Sequence, residues 1–222
     1  GANKISGDQL YILQDSNKIQ EGRFAFLPKY LDIFMNIMLG HERNIKNHYL
    51  LSTNTGYYFK YGPKQDEYKY LNAISAVFDL SVSDLRDKMV KTLETDKNLS
   101  IYTSLNNGDI RTQFGDLDAY ISYLKNNEYL EYPLLNDLLS IPGVVKKNGI
   151  NIIIFQKKIR LIKRTLEKEK IKESYYVVCQ NSENVNHLKD PMRETAFIIK
   201  EGKNYYPIVS VKKEDEQTKD IM

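Results

Sequence analysis

The chain has 222 residues, 41% of them apolar and 27% charged, with a formal net charge of +3. That length and apolar share suffice for a packed core, while so small a net charge does not by itself imply a nucleic-acid partner. The single cysteine, Cys179, excludes an intramolecular disulfide and a cysteine-based zinc site and suits a reducing compartment.

No apolar run approaches the ~20 residues of a membrane span, so no membrane partner is expected. Gly1-Ala2 read as a cloning scar, no secretory signal follows, and the chain reads as a fragment of something larger. Residues 9–14 are a candidate short strand, and 19–28 form an extended approach to a helix with Pro28 in its first turn. Leu31, Phe34, Met35 and Met38 recur at helical spacing, and Gly40 stops the run. Residues 41–56 read as polar loop and 57–60 as a strand. Asp66 is placed as the cap of a helix that buries Leu71, Ile74, Val77 and Phe78. Ser81 and Asp84 have capping-box spacing before a helix burying Leu85, Met89 and Leu93.

Asn106-Asn107-Gly108-Asp109 marks a turn within 98–115. Asp116 then caps a helix with Leu117, Tyr120, Ile121 and Leu124 inward. Pro133 opens a short leucine-rich helix that ends at Ile141-Pro142-Gly143. The β-branched run 150–155 predicts a buried strand, and 175–179 and 195–200 predict two more. Glu201-Gly202-Lys203-Asn204 is a hairpin turn, and 205–211 is the returning strand. Helices followed by strands predict an α+β fold, with helices packed on a mostly antiparallel sheet. One domain spans 1–222: an N-terminal extension and helix (1–56), a core (57–211) and a charged tail (212–222).

Few residues have the setting of a reactive group. Cys179 ends an apolar strand, where a thiol behaves as a small inert hydrophobe, although His187 follows in a polar loop. His41 and His48 flank Glu42 without a third ligand at metal-binding spacing, and no cofactor is expected. Asp109, Asp116 and Asp118 do not make a catalytic pair: Asp116 reads as a cap, and Asp118 favours the helix dipole in the first turn. The seventeen tyrosines follow no recurring register, so packing accounts for most of them. Residues 157–172 hold eight cations, among them Lys157, Lys158, Arg160, Lys163 and Arg164, against Glu167 and Glu169. They read either as a phosphate-contacting ribbon or helix or as a solvated connector.

The segment from Gly62 to Ile74 resembles the nucleophile-bearing turn of OTU-type cysteine proteases, where a catalytic Cys opens a buried helix. Leu85-Arg86, Asp118-Ala119-Tyr120-Ile121, the leucine-rich helix and Asn204-Tyr205-Tyr206 follow in the order of that fold, from about residue 60 to residue 211. Aligned on Ala73-Ile74, the Cys position falls on Lys69, near Asp66, and the position of the catalytic His falls on Asn204, followed by Tyr205. The resemblance therefore implies an OTU-like scaffold without its dyad, with Lys69 and Asn204 in one concavity. It points away from an enzyme and toward a protein-interaction module, with ubiquitin as one implied partner. An active OTU-type hydrolase using Cys179 and His187 is the catalytic alternative.

A second series covers more of the chain: residues 22–28, 58–62, 70–74, 149–155 and 205–208. It is similar to a region of large proteins of nucleocytoplasmic large DNA viruses, including relatives of the poxvirus early transcription factor large subunit. This implies a non-hydrolytic viral domain in the host cytoplasm or the virion, partnered by viral transcription machinery. It also gives 157–172 a DNA-binding role as a further alternative.

Overall fold

A computed structural model describes residues 12–15, 18–38, 57–165, 168–178 and 186–211, with the side chains of 57, 161–165, 168–172 and 211 excepted. The described strands are β1 (Phe24–Phe26), β2 (Tyr57–Tyr61), β3 (Ile150–Thr165), β4 (Lys168–Val177), β5 (Glu194–Glu201) and β6 (Asn204–Val211). They form a six-stranded sheet in the order β1-β2-β6-β5-β3-β4. Every neighbouring pair is antiparallel except β3 and β5, which are parallel. The fold is α+β on a mostly antiparallel sheet. Among the described residues, no helix is long and apolar enough to cross a membrane.

Helices α2 (Lys69–Phe78), α3 (Val82–Glu94), α4 (Ser100–Ser104), α5 (Asp109–Phe114), α6 (Leu117–Asn126) and α7 (Tyr132–Ser140) build the larger core against one sheet face. That face presents Ile150, Ile152, Ile154, Ala196, Ile198 and Tyr205. The opposite face packs Phe155, Ile199, Tyr206 and Ile208 against Ile19, Ala25, Leu27 and helix α1 (Lys29–Met38). Because both faces are covered, the central strands are continuous apolar runs rather than alternating ones.

Helix α1 sits differently from its periodicity: Leu31, Asp32, Met35 and Asn36 are buried, whereas Phe34 and Met38 are exposed. The buried polar pair is self-satisfied, with Asn36 Nδ2 donating to the Asp32 carbonyl at 2.7 Å. Among the described residues of the expected first strand, Leu13 makes a bridge, to Ala25; residues 9–11 lie outside the described residues. Ser81 and Asp84 form the capping box, and Asp116 caps α6 by accepting from Ala119 N at 2.8 Å. At the Asn-Asn-Gly turn all three residues have positive φ (50°, 54° and 92°), the region that Asn and Gly tolerate best. Arg86 of α3 closes the end of α6, its Nε donating to the Leu124 carbonyl at 2.8 Å.

Gly62 fixes the entry to α2. It exchanges backbone bonds of 2.9 Å with Gly22 and Arg23, and an added Cβ would stand 2.0 Å from the Gln20 carbonyl oxygen. Only glycine permits so close an approach.

The long hairpin is the other feature that bears on function. The β3–β5 ladder ends at Gln156 opposite Lys200, whereas the β3–β4 ladder continues to Thr165 opposite Lys168, with an irregularity between Leu161 and Lys163. Beyond Gln156 the two strands therefore leave the sheet as a two-stranded ribbon.

Candidate functional site

Lys69 is the first residue of α2, and Asn204 is the first residue of β6. Strand β6 runs beside α2, which brings the two side chains together: Lys69 Nζ donates to Asn204 Oδ1 at 3.0 Å. The two positions that the OTU resemblance would align with a cysteine–histidine pair are thus in direct contact, as a lysine and an asparagine amide. An amide is no general base, and a lysine cannot form the thioester through which a cysteine nucleophile works.

Asp66 is placed differently from its expected role. The backbone cap of α2 is Tyr68, which makes no side-chain capping bond. Asp66 instead closes a local turn, its Oδ1 accepting from Tyr68 N at 2.9 Å and from Asn72 Nδ2, while its Oδ2 pairs with Lys64 at 3.0 Å. Burial pushes its carboxyl pKa up, but the bonds from Lys64, Tyr68 N–H and Asn72 outweigh that and hold it below the usual carboxylate range. Asp66 faces a cleft of about 710 Å³ that also includes Lys64, Tyr68 and Arg86. The Arg86 guanidinium lies 5.2 Å from the centre of the Tyr68 ring.

Lys69 lines a second cleft, of about 550 Å³, with Tyr132, Gln156, Lys200, Lys203 and Tyr205. Glu67 borders both clefts, so the turn before α2 is the wall between them. The floor of the second cleft is aromatic. Ring centres of Tyr70 and Tyr205 are 5.2 Å apart, and Tyr132 lies 6.2 Å from each. The buried Tyr70 hydroxyl donates to Asn136 Oδ1. Burial holds the Tyr70 phenol well above its ordinary pKa and raises Tyr205 as well, so both are neutral donors at physiological pH. Lys200 Nζ sits 5.8 Å over the Tyr205 ring.

On the other sheet face, Lys60 is fully buried. Its Nζ donates to the Asp15 carbonyl at 2.6 Å and pairs with Glu201 at 3.3 Å. Burial lowers its pKa, opposed by Glu201, which also accepts from Tyr175 OH at 3.1 Å.

The five basic candidates are not equivalent. Lys157 is largely covered and paired with Glu173 at 2.9 Å. Lys158 and Arg160 are exposed. Lys163 and Arg164 stand in the ladder opposite Lys170 and Glu169. His187 is exposed in a short turn of helix, whereas Cys179, His41 and His48 lie outside the described residues. Asp109 opens α5 and Asp118 lies in the first turn of α6. Among the described residues no group of His, Cys, Asp and Glu is placed to hold a metal ion. Sequence reasoning did not identify Tyr132, Lys200 and Lys203 as neighbours of Lys69. Tyr132 comes from α7 and Lys200 and Lys203 from the β5–β6 hairpin, and tertiary packing brings them beside α2.

No protein-family model and no solved structure matches the chain. Over 219 residues, 99% of its length, it is 68% identical to an uncharacterized protein of Acanthamoeba polyphaga mimivirus, and it spans 14% of that protein's length. That similarity supports the reading of the chain as a viral protein.

Proposed function

We propose that the chain is a non-catalytic interaction module of a larger viral protein, built on an OTU-like scaffold. The observation that carries this reading is the contact between Lys69 Nζ and Asn204 Oδ1, made by a lysine that lines a cleft. The first-turn position of Lys69 also agrees with the resemblance, which puts a nucleophile at the start of a helix. On this reading the cleft serves to hold a partner. That partner is a protein, such as ubiquitin or a component of viral transcription machinery, met in the host cytoplasm or the virion. A second reading, nucleic-acid binding through residues 157–172, is favoured by one observation: the cations stand on a ribbon that leaves the sheet.

The scaffold is tested by rebuilding the pair. In a Lys69→Cys, Asn204→His double variant an imidazole would flank a thiol at a helix N-terminus, a setting that increases the thiolate fraction. Alkylation by iodoacetamide at neutral pH is expected to be at least about tenfold faster than in Lys69→Cys alone, since an unassisted thiol is only a few per cent ionised there. Equal rates in the two variants would remove the OTU-like reading of the site.

A further inference from the structure

The cleft and the ribbon share one face of the sheet. Gln156 of β3 stands opposite Lys200 of β5 and opposite Tyr176 of β4, and Lys200 stands opposite Tyr205 of β6. A single row, Tyr205–Lys200–Gln156–Tyr176, therefore crosses four adjacent strands on the side where Ile152 and Ile154 meet the helices. Side chains alternate along a strand, so Lys158 and Arg160 continue this face outward along β3, and Lys157 and Ile159 fall on the other. Lys157 is neutralised there by Glu173. Arg160 stands opposite Lys172, and past the irregularity Lys163 stands opposite Lys170, so these register positions also pair cation with cation.

Aromatic rings are interleaved with these charges. Tyr176 is 46% exposed beside Gln156, and Tyr129, which lines the cleft, is 71% exposed. We propose that this face binds single-stranded nucleic acid, with phosphates along Lys200, Lys203, Lys158 and Arg160 and bases stacked on Tyr129 and Tyr176. An acidic peptide would satisfy the charges but leave the exposed rings without stacking partners. A duplex would reach the ribbon, but its paired bases are closed to tyrosine faces. The two carboxylates on the cleft rim, Glu67 and Glu131, precede α2 and α7, so they direct the phosphates to the sheet side. The inference rests on the nucleic-acid reading of the ribbon and is independent of whether the scaffold is OTU-like.

The test is fluorescence anisotropy of the full chain with a labelled oligothymidine of about 20 nucleotides, longer than the ~4–16 typical of such sites. A duplex of equal length and polyglutamate serve as comparators. The single strand is expected to bind at least about tenfold more tightly than the duplex and to resist polyglutamate. Lys158→Gln with Arg160→Gln should flatten the plot of log affinity against log salt by about 1.4, at ~0.7 per lost phosphate contact. Tyr129→Ala with Tyr176→Ala should weaken binding about thirtyfold or more and leave that slope alone. Lys203→Gln, in an exposed turn, provides an independent check on the cleft end and should weaken binding and reduce the slope by about 0.7. Equal or tighter duplex binding that ignores the tyrosine variants would overturn this inference and leave a ribbon-only, double-strand reading standing. Displacement by polyglutamate as efficient as by unlabelled strand would make the site one for acidic peptides. Absence of binding to either nucleic acid at ~50 mM salt, where phosphate contacts are strongest, would remove both nucleic-acid readings.

Discussion

Strand β3 has two halves that differ in burial and in the elements beside them. In the first, Ile150, Ile152, Ile154 and Phe155 are buried between two covered sheet faces. In the second, Lys158, Ile159 and Arg160 are exposed, and among the described residues the strand beside them is β4 alone. The change falls at Gln156, where β5 ends its ladder and the cleft begins. The same extended chain thus serves as core on one side of that residue and as an exposed ribbon on the other. What separates the two is the number of neighbouring strands and helices, not the strand itself.

The largest expected effect tests that division directly. Ile154→Ala should cost about 2–5 kcal/mol, because a buried methyl-rich side chain leaves a cavity in a layer closed on both faces. Ile159→Ala, at a side chain 62% exposed, should stay within about 0.5 kcal/mol. Denaturant midpoints of the two variants decide the matter, and similar losses at both sites would show that the ribbon is packed against something.

The next effect concerns the fully buried Lys60 and its partner Glu201 on the opposite sheet face. Glu201→Gln strands an ammonium in the interior and should cost roughly 2–4 kcal/mol. That is short of the ~3–5 of a wholly buried pair because Glu201 retains some contact with water. Lys60→Met, which removes the charge and keeps the stem, should be the milder change. Thermal unfolding of both variants tests the order, and a milder Glu201→Gln would mean that Lys60 is neutral in the folded chain.

A third effect is invisible near neutral pH. Burial raises the phenol pKa of Tyr70, Tyr120 and Tyr205 in the folded state. Their contribution to stability is whole below the unfolded value of ~10 and is lost as pH rises above it, since only the unfolded chain ionises there. Lys60, with a lowered pKa, acts in the opposite sense up to ~10.4, but as one group against three. Tyrosinate absorbance of these buried rings should therefore appear together with unfolding in an alkaline titration. Smooth ionisation of all tyrosines with the fold intact would contradict their burial.

Much of the architecture was legible because local rules and burial agreed. The Ser81 capping box, the Asp116 cap, the Asn-Asn-Gly turn and the 150–155 run each have one favourable conformation. Helix α1 was misread on one face because amphipathicity assumes that apolar residues point inward, and here Asp32 and Asn36 satisfy each other in the interior. The Lys69–Asn204 proximity came from the resemblance and not from any spacing, since 135 residues separate the two. The tyrosine cluster could not be read in advance. Tyr70, Tyr132 and Tyr205 come from α2, α7 and β6, and only tertiary packing brings their rings together. Nor could the unequal roles of Lys157 and Lys158 be assigned before the β3–β4 register placed Glu173 on the side of Lys157.

The central claim is that this cleft holds a partner and performs no acyl transfer. Intact mass spectrometry of the wild-type chain, incubated with ubiquitin bearing a thiol-reactive C-terminal electrophile, tests it most directly. The account predicts no covalent adduct, because a lysine and an asparagine stand where the resemblance puts the cysteine and the histidine. A stoichiometric adduct that disappears in a Cys179→Ala variant would contradict it and make the chain a cysteine hydrolase.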